Sequence, residues 1–234
     1  MIHRLGKVIR DPIKYARIAH YQLAIKWYLF RYDHTEGYRR IMRYRIDKFG
    51  PEEAVGGFDS GIGQLQFEFL REQGLSPSDR LLDIGCGTLR GGEHFIDYLD
   101  AGHYTGMDIS NEAIEAGVER VGDLVEEKDP TFVVNDELKF AEVTGEFDYA
   151  IAQSVFTHLP RAELDECLAN IDRVVGGTFY ATFFEKPVPG DKNFRYESET
   201  LIEIGEKYGH EVNLLPPDAY PHPEDQRMMR FEID

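Results

Sequence analysis

At 234 residues the chain is long enough to bury one substantial core with an appended segment, and too short for two catalytic domains. Of its 26 basic and 43 acidic residues, which give a net charge of −17, 12 and 4 fall within the first 48 positions, so the remainder carries 14 and 39. So acidic a body repels phosphate backbones and argues against a nucleic-acid substrate, while Cys86 and Cys167, with no paired spacing, argue against a disulfide framework or structural zinc and fit a reducing cytoplasm.

The first predicted element is a helix. Asp11-Pro12 offers an N-cap acid followed by proline in the first turn, and residues 13–32 contain neither glycine nor proline. One stripe runs Ile13, Ala16, His20, Leu23, Trp27, Phe30 and a second runs Ile18, Ile25, Leu29, so apolar groups cover much of the surface and the helix needs a partner. Two partners suit it. Either it packs on the main domain or covers a substrate mouth, or residues 10–32 make a peripheral membrane or protein contact, with Arg10, Lys14, Arg17 and Lys26 at anionic lipid and Trp27 and Phe30 in the interface. No apolar stretch reaches the roughly 20 residues that span a bilayer and the first residues lack a secretory pattern, so the expected location is cytoplasmic, free or membrane-peripheral. A second basic, aromatic helix runs to about residue 49 and closes at Gly50-Pro51. Residues 1–55 thus read as a helical extension, a lid or docking element, and 56–234 as the main domain.

A glycine-rich approach over 55–63 leads to a helix at 64–73 with Leu65, Phe69 and Leu70 inward. After Ser76-Pro77, short apolar runs alternate with helical segments, the pattern of an α/β fold with a parallel sheet covered on both faces. Strands are expected at 80–84, 104–108, 131–134, 149–153, 178–183, 211–215 and 228–233. Helices are expected at 91–99, 111–125, 161–174 and 198–208.

The stretch LLDIGCGTLRGG, residues 81–92, carries the most information. An apolar run ends near an acid, Asp83, and turns through Gly85 and Gly87 into a helix whose free N–H groups point at whatever occupies the turn. A dinucleotide fingerprint would place its third glycine at Arg90, so that reading, and with it a nicotinamide oxidoreductase, does not fit. Asp83 instead stands where it accepts hydrogen bonds from a cationic, amine-bearing ligand. Asp108, 21 residues beyond Gly87 in YTGMDIS, ends a second strand where an acid holds a ribose diol.

This loop resembles that of the class I S-adenosylmethionine-dependent methyltransferases, which commonly reads hydrophobic-D-x-G-C-G-T-G. The resemblance extends from about Gly61 to the C-terminus and implies a doubly wound, seven-stranded, mostly parallel sheet with an antiparallel C-terminal strand. It implies S-adenosyl-L-methionine as cofactor, with Asp83, Gly85, Cys86 and Gly87 at its methionine and ribose portion, Thr88 and Ile109 beside them, and Asp108 on the ribose hydroxyls. Asp136, after the third strand in FVVND, is the acid expected at the adenine amino group, the alternatives being a solvent-exposed turn acid or Asn135 in that role. Gln153 and Ser154, at the end of the fourth strand, are expected against the cofactor, and Gly61, Gln64 and Gln66 are weaker candidates from the preceding helix. The departure is at the third glycine, where Leu89 stands, followed by Arg90, Gly91 and Gly92.

Methyl transfer depends chiefly on positioning, and a hydroxyl or ammonium acceptor must also lose a proton. His158, four residues past Ser154, is the first candidate base, an imidazole that titrates near neutrality; its alternative is a structural bond to the turn. Glu185 in TFFEKP is the second, against a loop charge paired with Lys186. Arg90 suits a carboxylate on the cofactor or an anionic acceptor, against a surface helix arginine, and His222 in YPHPEDQ suits the rim of the acceptor pocket, against a plain proline-rich loop. The aromatic signature of nucleobase amino-methylation does not match AQSV at 152–155, and no cluster suggests a metal. The expected activity is methylation of a small-molecule or glycan-like acceptor, preferably at oxygen. Small-molecule N-methylation, or cofactor binding without catalysis in a domain docked through its basic helices, are the alternatives.

Overall fold

The computed structural model describes residues 12–54, 61–186 and 193–233. Asp11, Arg10 and the glycine-rich approach at 55–60 lie outside them, as do the side chains of Ile13, Lys14, Ala16, Arg17 and Ile18. Strand β1 (Leu81–Ile84) is buried along its whole length and pairs in parallel with β2 (Tyr104–Asp108) on one side and β4 (Phe147–Ala152) on the other. With β3 (Thr131–Val134), β5 (Val175–Phe183), β6 (Glu211–Leu214) and β7 (Arg227–Glu232), it forms one seven-stranded sheet in the order β3-β2-β1-β4-β5-β7-β6. The first five strands run parallel; β7 is antiparallel to both β5 and β6. Chain order reverses between β1 and β4, and open α/β sheets bind ligands beyond the strand ends at such a switch point.

Alternate residues of the central strands feed two cores, one on each face. Leu82, Ala150 and Phe179 enter a cluster with Phe156, Leu164 and Phe231, whereas Leu81, Ile151 and Tyr180 enter another with Phe69, Phe95 and Tyr104. β5 begins at Val175, three residues before its expected start, through Gly176-Gly177. A Cβ at position 177 would lie 2.1 Å from the Asp148 carbonyl oxygen, so glycine there permits the close pairing of β4 and β5.

The helices are α1 (Pro12–Arg31), α2 (His34–Ala54), α3 (Ile62–Glu72), α4 (Gly92–Tyr98), α5 (Asn111–Val121), α6 (Asp123–Lys128), α7 (Arg161–Leu168) and α8 (Ser198–Lys207). Ser110 caps α5, its hydroxyl accepting from Ala113 N at 3.2 Å. The single helix expected over 111–125 is two, broken at Gly122 with φ 47° and ψ −115°. The helix expected over 161–174 stops at Leu168, where Asn170 Nδ2 donates to the Glu166 carbonyl and a short 3-10 turn, Ile171–Arg173, follows. Gly50 interrupts α2 with φ 86° just before Pro51, at the expected close.

α1 and α2 pack antiparallel by a short turn. Ile25 and Ile41 are buried, Tyr21 stacks on Tyr44 and His20 Nδ1 lies 2.7 Å from the Tyr44 hydroxyl. α2 in turn lies on α5, with Arg43 3.3 Å from Glu112. Among the described residues no helix is long and apolar enough to cross a membrane.

Candidate functional site

A cavity of about 420 Å³ opens at the C-terminal ends of β1, β2 and β4, within the size range of small-molecule clefts. Asp83, Gly85, Cys86 and Gly87 from the β1 turn line it, with Asp108 and Ile109 from β2, Asn135 and Asp136 after β3, and Gln153, Ser154 and His158 after β4. The turn is tight because Gly85 and Gly87 take φ of 75° and 54°. A Cβ on Gly85 would sit 2.4 Å from Val155 Cγ2, so the position is closed to any side chain.

Asp83 is buried and accepts a 2.7 Å hydrogen bond from the Tyr104 hydroxyl. Burial pushes its carboxyl up to about 7, with the Tyr104 bond and the nearby Arg90 opposing the rise and Asp108 adding to it. A buried carboxylate so placed gains from a cation arriving in the cavity. Asp108 is held rigidly by its two oxygens, Oδ2 accepting from Gly87 N at 2.9 Å and Oδ1 from Ser110 N at 2.8 Å. Those bonds favour its charged form, while burial still moves it upward from the ordinary carboxylate range.

Helix α2 closes the other side. His34, Thr35, Tyr38, Met42 and Arg45 line the cavity from this helix, at spacings of one face. Arg39 donates from Nε to the Ile109 carbonyl at 3.1 Å, from Nη2 to Asp136 at 2.5 Å and from Nη1 to Glu36 at 2.7 Å, so one guanidinium ties α2 to both the β2 and β3 exits. Asn135 is buried, its Oδ1 accepting from Glu137 N and its Nδ2 donating to Glu142.

At the end of β4, Ser154 takes φ 61°, a strained value for a residue with a side chain, and its N–H donates to Thr182 Oγ1 at 2.7 Å. Gln153 accepts from the Tyr220 hydroxyl at 2.6 Å, and its amide nitrogen lies within 3.3 Å of Ser154 Oγ, His222 Nε2 and Gln226 Oε1. The segment leading into β7 therefore fastens the β4 exit from behind. Next along the wall, His158 stands 5.0 Å from the Tyr38 ring centroid, and His34 Nε2 donates to the His158 carbonyl at 2.6 Å. Thr35 Oγ1 donates to Glu163 at 3.3 Å, and burial raises the Glu163 carboxyl.

Several expected residues stand elsewhere. Glu185 is paired with Arg227 Nη1 at 2.7 Å and does not line the cavity, a correction to its reading as a base: the ion pair turns the carboxylate towards β7. Lys186, its expected partner, reaches Asp225 instead. Thr88 is likewise corrected; it is fully buried outside the cavity, its hydroxyl without a hydrogen-bond partner among the described residues. Gln64 bonds Glu68 on the surface and Gly61 is the left-handed cap of α3, whereas Gln66 does line the cavity. His222 lies behind Gln153; burial and then Arg90 push it down to about 4, so it is neutral near pH 7. Arg90 lines the cavity.

The sequence reading missed Tyr38, Arg39, Glu163, Asn193 and Gln226 in this region. The signal for α2 was available: positions 34, 38, 42 and 45 repeat at 4, 4 and 3 residues and mark one helical face.

Residues 82–176 match the family model described as a methyltransferase domain. Among solved structures, the chain resembles magnesium protoporphyrin IX methyltransferase from Synechocystis PCC 6803 with bound SAM at 15% identity, covering 84% of this chain and 97% of that one, with a TM-score of 0.61. It resembles the glycopeptide N-methyltransferase MtfA complexed with S-adenosyl-L-homocysteine at 14% identity, over 74% and 90%, with a TM-score of 0.56. A TehB-like SAM-dependent methyltransferase from Corynebacterium glutamicum ATCC 13032 Kitasato matches at 20% identity, over 86% and 98%, with a TM-score of 0.54. At these identities the likeness is one of fold.

Proposed function

We propose that this chain, whose residues 82–176 match a methyltransferase domain, is a class I S-adenosylmethionine-dependent enzyme that methylates a small-molecule acceptor at oxygen, with His158 as the base. The observation that carries this reading is the placement of His158 in the wall of the same cavity that Asp83 and Asp108 line, between Tyr38 and the His34 bond to its carbonyl. The cradle suits the cofactor. A buried acid at about 7, a rigid acid behind two glycines and a cavity of about 420 Å³ answer to a cation, a diol and a nucleoside.

When bound, the cofactor supplies an electrophilic methyl whose bond to sulfur breaks, the electron pair going to sulfur, as the acceptor atom attaches. Asp83 would hold its ammonium, Asp108 its ribose hydroxyls, and Asn135 or Asp136 its adenine amino group. Gln153 and Ser154, pinned by Gln226 and Thr182, keep the β4 exit rigid beside that site. His158 removes the proton that a hydroxyl acceptor must lose and releases it to solvent. Tyr38, whose phenol burial pushes well upward, stays neutral and packs against the imidazole. Leu159, Phe184 and Met42 supply the apolar part of the acceptor wall.

The test is incubation with methyl-labelled cofactor and a fractionated extract of metabolites and glycans. A labelled product should form, and His158→Asn should lower its kcat by about 10²–10⁴-fold with cofactor affinity unchanged. Tight cofactor binding with no labelled product in any fraction would remove the acceptor reading, and an His158→Asn rate within a few fold of wild type would remove the base. Glu163 in the same wall favours a second reading, a small amine acceptor held by that carboxylate. An amine as the labelled product, with Glu163→Gln raising KM rather than lowering kcat, would establish it instead.

A further inference from the structure

Leu23, Trp27 and Phe30 of α1 are 67%, 54% and 90% exposed, and among the described residues the only other large exposed hydrophobic is Val134. Their spacing of four and three puts all three on one face. Ile25 points the other way and is buried, and Tyr21 and Tyr28 meet Tyr44 of α2 from that inner side. Trp27 is set edge-on against Tyr28 and Tyr32, at 5.1 and 6.0 Å, so its outward position is fixed by its neighbours. At 100° per residue, Lys26 falls about 60° to one side of Leu23 and Arg31 about 80° to the other. The apolar row is therefore bordered by cations on both flanks.

The charge around it has the opposite sign to the rest of the chain. The first 48 residues hold 12 Lys or Arg against 4 Asp or Glu within a protein of net charge −17. An aromatic and aliphatic row edged by Lys and Arg matches the boundary between acyl chains and anionic headgroups, where the apolar side chains enter and the cations meet phosphate. A second copy of the chain fits less well. Three side chains of one helix fall far short of the roughly 20–30 residues a side in a stable interface, and a symmetric pair would bring like charges together.

We propose that this face of α1 docks on an anionic lipid bilayer, Leu23, Trp27 and Phe30 entering the interface and Lys26 and Arg31 lying at the phosphates. The docking is independent of the methyl acceptor, since it uses no residue of the cavity. α1 is nevertheless packed on α2, so the lipid contact and the cavity wall are one helix apart.

Trp27 is the only tryptophan, so the emission of the intact chain reports on this face alone. Phosphatidylcholine vesicles containing phosphatidylglycerol should shift its emission to the blue and carry the protein upward in a flotation gradient, and added salt should reverse both. Leu23→Ser with Phe30→Ser, which keeps the reporter, should weaken the partition at least tenfold. Lys26→Glu with Arg31→Glu should abolish the preference for phosphatidylglycerol. The proposal is overturned if neither vesicle shifts the emission, if pure phosphatidylcholine binds equally well, or if the Leu23 and Phe30 variant floats like wild type. A blue shift that grows with protein concentration without vesicles, together with a dimer in sedimentation, would also overturn it by assigning the face to a second copy.

Discussion

Asp83 carries a conflict between stability and ligand binding that pH can expose. Its folded-state value of about 7 stands above that of an unfolded aspartate, so between the two the folded chain binds more protons and stability falls as pH rises. The full penalty, on the order of a few kcal/mol, is present only above about pH 7. His222 acts in the opposite sense. Held down to about 4, it leaves the folded chain with fewer protons than the unfolded chain between there and the ordinary histidine value, so its contribution rises with pH. The two overlap, and only a difference measurement isolates Asp83. Asp83→Asn should raise the thermal midpoint of the ligand-free protein at pH 8, with the gain shrinking towards pH 4.5, while cofactor affinity falls at least tenfold. Equal midpoints at pH 8 would show that burial of the carboxyl costs nothing. Gly85 and Gly87 were legible because a tight strand-to-helix turn favours glycine at both, and Asp83 and Asp108 because the resemblance places an acid at each of those two positions. Arg39 and Gln226 were not, because they reach the site from 70 and 72 positions away, to Ile109 and Ser154.

The β1–α4 turn shows how an element absorbs a departure from the loop pattern it resembles. Leu89 occupies the place of the third glycine and keeps a glycine-like φ of 60°, a strain of roughly 1–2 kcal/mol. Its side chain is fully buried, and it fits because glycines stand around it: a Cβ at Gly117 would lie 2.8 Å from Leu89 Cγ, and one at Gly92 would lie 3.0 Å from Leu89 Cδ2. Arg120 locks the turn from α5, donating to the Leu89 carbonyl at 2.7 Å and pairing with Glu93. Leu89→Gly should therefore destabilise in denaturant titration by a net of about 1–3 kcal/mol, because the roughly 2–5 kcal/mol lost on emptying the socket exceeds the strain relieved. A more stable Leu89→Gly chain would mean that the socket collapses freely. Gly85→Ala has no such compensation, with φ 75° and Val155 2.4 Å from the new methyl, and should abolish cofactor binding in calorimetry. The strands were readable here by their apolar runs and terminal acids. The breaks at Gly122 and Asn170 were not, because a single positive φ at the one and a side-chain bond back to the Glu166 carbonyl at the other end the helices.

Over the whole molecule, charge separates the basic α1–α2 pair from an acidic body, and salt acts on the two parts in opposite directions. Body carboxylates repel one another at low ionic strength, whereas the pairs Arg39–Asp136 and Arg43–Glu112 hold α2 on that body. The pairs are partly exposed and each contributes at most about 1 kcal/mol, less than the distributed repulsion of a net charge of −17. Raising ionic strength from about 0.01 M to about 0.15 M shortens the screening length from about 30 Å to about 8 Å, and the thermal midpoint should rise by a few degrees. Removing the clasp sharpens the test. In Arg39→Ala there is less attraction left to screen, so the midpoint at low salt should be below wild type and the salt-induced rise larger. The same variant should weaken cofactor binding, because α2 then has one fewer tie to the β2 and β3 exits that line the cavity. A midpoint that falls with salt in both proteins would mean that attraction between extension and body outweighs repulsion within the body, and that the basic helices are the main electrostatic support of the fold.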